Sequence, residues 1–93
     1  MKILHIIRDK GHELALSTAL AQATDLTQKV ALLLIHDAVL TRAETLKGLE
    51  VFALKDDVEA RGVGDVVRLR RMPLLDYNGM LELIFESDKV IAW

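Results

Sequence analysis

Val30-Ala31-Leu32-Leu33-Leu34-Ile35 is apolar at every position. A strand with one wet face alternates apolar and polar residues, whereas a strand covered on both faces reads as an unbroken apolar run. The run is far shorter than the ~18 residues that suggest a membrane span. It therefore reads as an inner strand of a parallel sheet with helices on both sides.

Outward from it, the chain alternates short apolar runs with helical stretches, the pattern of an α/β fold. Ile3–Ile7 is apolar except for His5, Leu49–Leu54 is a third strand, and Val90–Trp93 is the last. Met72–Leu75 is a weaker strand, because Pro73 has no N–H to give a ladder. Between them, Leu16, Ala19, Leu20 and Ala23 recur at helical steps within a helix from His12 to Leu26, set off from the first strand by Gly11. The stretch from Ala38 to Lys47 is expected to be helical and to stop at Gly48. Asp56–Gly62 is expected as a short helix with Asp56 as its cap, Glu59 at the reciprocal position and Gly62 as its left-handed end. Asp76 caps a final helix in which Tyr77, Met80, Leu81 and Ile84 share a face. The expected fold is a three-layer α/β sandwich with a mainly parallel sheet of four to five strands and four helices. One domain is expected over residues 1–93.

Composition narrows the function classes. The chain has 93 residues, 52% of them hydrophobic and 28% charged, with a formal net charge of −2. A pI near 5.9 offers no global argument for nucleic-acid binding, where domain pI usually exceeds about 9. The absence of cysteine removes disulfides, thiolate nucleophiles and Cys-ligated metal centres at once. Met1-Lys2 leads straight into Ile3–Ile7 without a signal-peptide pattern, so a soluble cytoplasmic protein is expected.

In parallel sheets, ligands bind beyond the carboxyl ends of the strands. The residues there are Arg8-Asp9, His36-Asp37, Lys55-Asp56-Asp57 and Asp76-Tyr77. The candidate ligand or partner site is therefore Asp9, His36, Asp37, Asp56, Arg61 and Tyr77. Helix capping also accounts for an aspartate after each strand. A receiver-type magnesium site would want two adjacent acids after the first strand, where only Asp9 stands. His36 and Asp37 are neighbours that point to opposite faces of a strand, which prevents a dyad between them. Ser17 and Ser87 sit in no nucleophile elbow, and no His pair has metal spacing. No catalytic residue, metal or cofactor is expected. Arg68-Leu69-Arg70-Arg71 is the one concentrated basic patch, read as solvated loop arginines, with Arg68 and Arg70 on one face if extended. Trp93 at the end of the sequence is either packed on its own domain or a subunit-interface anchor.

Five stretches in order resemble the DsrH/TusB branch of the DsrE/DsrF/DsrH-like sulfur-relay family. They are Ile3-Leu4-His5, Leu33–Val39, Val51–Gly62, Asp76-Tyr77 with Gly79–Leu83, and Ile91-Ala92-Trp93. The resemblance implies a flavodoxin-like sheet and assembly with DsrE- and DsrF-like (TusD- and TusC-like) subunits, or with itself. It also implies a part in persulfide transfer, serving tRNA wobble-uridine 2-thiolation or sulfur oxidation, with only an indirect link to tRNA and none to a membrane. Some DsrH-type chains carry a cysteine in the first helix, but Leu16-Ser17-Thr18-Ala19-Leu20 has none. A hydroxyl cannot carry transferable sulfur, so the resemblance implies a non-catalytic subunit. A stand-alone homo-oligomer binding a small ligand or metal at the strand ends is the alternative.

Overall fold

The computed structural model describes residues 1–93, with every side chain except that of Leu69. Its strands are β1 (Lys2–Ile7), β2 (Lys29–Leu34), β3 (Glu50–Leu54), β4 (Leu74–Leu75) and β5 (Lys89–Ala92). Its α-helices are α1 (Glu13–Ala23), α2 (Lys55–Ala60), α3 (Gly64–Leu69) and α4 (Tyr77–Glu86), with 3-10 turns at His36–Leu40 and Ala43–Leu46. The strands form one sheet in the order β4-β3-β2-β1-β5, and every neighbouring pair is parallel. The expected parallel α/β sandwich is thus present, with five strands.

Topology assigns the layers. From β1 to β4 the chain steps across the sheet in one direction, so right-handed crossovers put α1, the 3-10 turns, α2 and α3 on one face. The link from β4 to β5 runs back across the whole sheet and puts α4 on the other. The first face holds the main core: Ile3, Ile7, Val30, Leu32, Leu34 and Ala53 meet Ala15, Leu16 and Ala19 of α1, Val58 of α2 and Val67 of α3. Strand alternation turns Leu4, Leu33 and Leu54 towards α4, and all three are buried. Each fully buried leucine stabilises the fold by about 2 kcal/mol. Among the described residues, no helix is long and apolar enough to cross a membrane.

Several local expectations need correction. The single helix over 38–47 is two 3-10 turns, because Thr41 and Thr45 donate their hydroxyls to the carbonyls of Ala38 (2.6 Å) and Arg42 (2.8 Å) and break the helical ladder. The helix after β3 starts at Lys55 without a side-chain cap, so Asp56 caps nothing, and Glu59 pairs with Lys55 at 3.9 Å. Gly62 does take the left-handed stop (φ +65°), with its N–H on the Glu59 carbonyl. Arg68 lies in the helix α3, so it shares no extended face with Arg70. Arg70 instead donates to the carbonyl of the buried Thr41 at 2.8 Å. On α1, Ala15, Leu16 and Ala19 are buried while Leu20 is exposed. Asp76 caps α4 through the Gly79 N–H (2.8 Å), but Met80 and Ile84 are half-buried whereas Tyr77 and Leu81 stay exposed.

Candidate functional site

An all-parallel sheet brings the carboxyl ends of its strands to one edge, and there one side-chain cluster forms. It begins with His36, which follows β2 with a left-handed backbone (φ +49°). For a residue with a Cβ this costs about 1–2 kcal/mol. The compensating contact comes from α2. Because that helix starts directly after β3, Asp57 reaches the end of β2, and its Oδ2 accepts the His36 N–H at 2.8 Å. One turn later, Arg61 places Nη1 3.5 Å from Asp57 Oδ1 and donates to the Asp57 carbonyl at 3.2 Å. Its Nε donates to Asp37 Oδ1 at 3.0 Å.

Arg61 thus bridges two carboxylates, Asp37 of the turn after β2 and Asp57 of α2, and both it and Asp57 are largely covered. The His36 ring and the Asp37 carboxylate are the reachable groups, with side chains 60% and 69% exposed and His36 Nδ1 4.0 Å from Asp57 Oδ1. Arg61 supplies the positive charge these carboxylates need. Among the described residues, no three His, Asp or Glu side chains form a group able to hold a metal ion.

His36, Asp37 and Arg61 are therefore brought together. Asp9 is exposed after β1, and its side chain makes no hydrogen bond or ion pair among the described residues. Asp56 is exposed on α2, and Tyr77 opens α4 with 55% of its surface in solvent. Neither is tied to the cluster. Asp57, absent from the candidates drawn from sequence, is its central residue. Its spacing of four from Arg61 was the available signal, since such pairs face each other on a helix.

A second assembly surrounds Trp93. The Trp93 N–H donates to the Ile6 carbonyl at 2.9 Å, extending the β1–β5 pairing, and Arg8 Nε donates to the Trp93 carbonyl at 3.4 Å. The indole Nε1–H donates to Nδ1 of the fully buried His5 at 2.9 Å, and the two rings stack with centroids 6.0 Å apart. Indole is a donor only, so Nδ1 of His5 carries no proton; the hydrogen-bond network assigns the proton to Nε2, which meets Gln22 Oε1 of α1 at 2.6 Å. His12 completes the group: its ring lies 5.3 Å from the indole, and its Nδ1 accepts the Ala15 N–H and caps α1. Trp93 is thereby docked half-buried on its own chain.

Comparison with known proteins places this architecture. A family model described as DsrH like protein matches residues 11–90. The crystal structure of the ychN protein from E. coli covers all of this chain and all of its own, at 16% identity and a TM-score of 0.75. A conserved protein of unknown function, BT1422 from Bacteroides thetaiotaomicron, covers 98% of this chain and 94% of its own, at 14% identity and the same TM-score. At these identities the likeness establishes the fold. No curated protein matches the chain.

Proposed function

The chain belongs to the DsrH-like family, and from that membership we propose that it is a cytoplasmic, non-catalytic subunit of a sulfur-relay complex. It assembles with cysteine-bearing relatives of the DsrE and DsrF types and supports persulfide transfer, in tRNA wobble-uridine 2-thiolation or in sulfur oxidation. The observation that carries this reading is the complete absence of cysteine from a member of a sulfur-relay family. Persulfide transfer needs a thiolate that attacks, holds and releases sulfur. Ser17, in the first helix, offers only a hydroxyl, which donates back to the Leu14 carbonyl at 3.1 Å.

What the chain retains suits a docking role. The Asp57–Arg61–Asp37 bridge ties the turn after β2 to α2 at the carboxyl edge and leaves the His36 imidazole reachable beside it. Single-turnover transfer of labelled persulfide sulfur between the DsrE- and DsrF-type partners and their acceptor tests the reading. Adding this chain is expected to raise the rate, and a Ser17→Cys variant is not needed for that gain. Transfer that proceeds unchanged in its presence, with no complex formed, would refute it.

A further inference from the structure

α4 is the only α-helix on its side of the sheet among the described residues, and none of its residues is buried. A helix is ~10 Å across, whereas five strands spaced ~4.8 Å apart span about 20 Å, so one helix cannot cover that face. Met80, Leu83 and Ile84 are half-buried, while Tyr77, Leu81 and Phe85 recur every four residues along the outer side. These three are 55%, 47% and 84% exposed. Together they present on the order of 350 Å² of largely apolar surface, approaching half of the ~800 Å² per partner that a stable interface buries. Scattered surface leucines need no explanation, but an aromatic-rich patch of this size marks an interaction site.

Charge selects the occupant. From Asp76 to Asp88 the chain carries four acidic residues and no basic one. Asp76 is committed to the Gly79 N–H, and Lys2 answers the other end through Glu86 (3.6 Å) and through its backbone N–H to Asp88 (2.7 Å). The Glu82 side chain makes no ion pair or hydrogen bond among the described residues. A twofold pairing of identical copies sets a patch against itself and would bring the two acidic borders onto the same interface. We propose that the Tyr77–Leu81–Phe85 face of α4 docks a second, non-identical protein subunit presenting an apolar face bordered by lysine or arginine. This rests on the subunit reading above and names the surface that serves it.

Sedimentation velocity of the purified chain, alone and titrated with its DsrE- and DsrF-type partners, tests the assignment. Phe85→Ser and Leu81→Ser are each expected to weaken the complex at least tenfold with unchanged circular dichroism, because both side chains lie in solvent. Glu82→Lys is expected to weaken it several-fold at low salt and less at high salt, as charge pairing requires. Leu20→Ser, an equally exposed change on α1, is expected to leave it intact. A complex insensitive to Phe85→Ser and Leu81→Ser overturns this surface and leaves the subunit reading standing. Failure of the unaltered chain to bind overturns both. Self-association abolished by Phe85→Ser makes a second copy the occupant and overturns the choice of a non-identical partner.

Discussion

Replacing Trp93 by phenylalanine keeps most of the ring but deletes the N–H that His5 Nδ1 accepts at 2.9 Å. His5 is fully buried, so its acceptor nitrogen has no water to turn to. A buried acceptor left unpaired costs about 1–3 kcal/mol. Trp93 is itself only half-buried, so some relaxation around the smaller ring is available and the lower half of that range is expected. With urea m-values of about 1–3 kcal/mol/M for small proteins, the midpoint should fall by roughly 1 M. Far-UV circular dichroism is the appropriate readout, since the variant lacks the only tryptophan. Adding His5→Phe removes the acceptor as well, and the Gln22 contact that goes with His5 is lost equally in the His5→Phe single variant, so it cancels in the cycle. The double-mutant cycle should therefore show a coupling of about 1 kcal/mol or more. A Trp93→Phe midpoint indistinguishable from the unaltered protein, together with additive single and double variants, would refute this latch.

Three further outcomes follow from the carboxyl edge and the surface. His36→Gly relieves the left-handed backbone while keeping the N–H that Asp57 accepts, so stability should rise by about 0.5–1 kcal/mol, read as a melting temperature a few degrees higher. Asp57→Ala leaves the His36 N–H without its acceptor and removes one of the two carboxylates that Arg61 bridges, and should cost about 1–3 kcal/mol in urea denaturation, whereas Asp56→Ala should change stability by less than about 0.5 kcal/mol. The Thr27 side-chain O–H and backbone N–H hold the Asp25 carboxyl below its ordinary value of 3.8. A lowered folded-state value means that this contribution is present above the unfolded-state pKa and is lost as pH falls through the folded one. Thr27→Val removes the larger cause, and NMR titration should find Asp25 closer to 3.8.

The sheet was the most legible part of the chain. Val30–Ile35 and Ile3–Ile7 became β2 and β1 within a residue of their apolar limits, because strands covered on both faces have no polar positions to blur their ends. Helices without a side-chain cap were less visible. α3 begins after Val63, which makes no capping bond, and its Arg68 reads with Arg70 and Arg71 as part of a solvated loop. The segment 38–47 carries helical spacing, yet the hydroxyls of Thr41 and Thr45 draw the backbone into tighter turns.

Legibility of the site divides along the same line. His36, Asp37 and Arg61 were within reach, since strand ends and helix spacing are local properties. Asp57 was missed because Asp56 looked like the helix cap, and one residue of difference in the helix start reverses which aspartate turns inward. The Trp93–His5 contact joins residues 88 apart and depends on β5 lying beside β1, which no local pattern encodes.

Native mass spectrometry of the chain co-expressed with its DsrE- and DsrF-type relatives tests the assembly claim most directly. A complex that contains this cysteine-free chain beside both cysteine-bearing chains is the expected result. Partners that assemble with each other while this chain stays apart from them would contradict it.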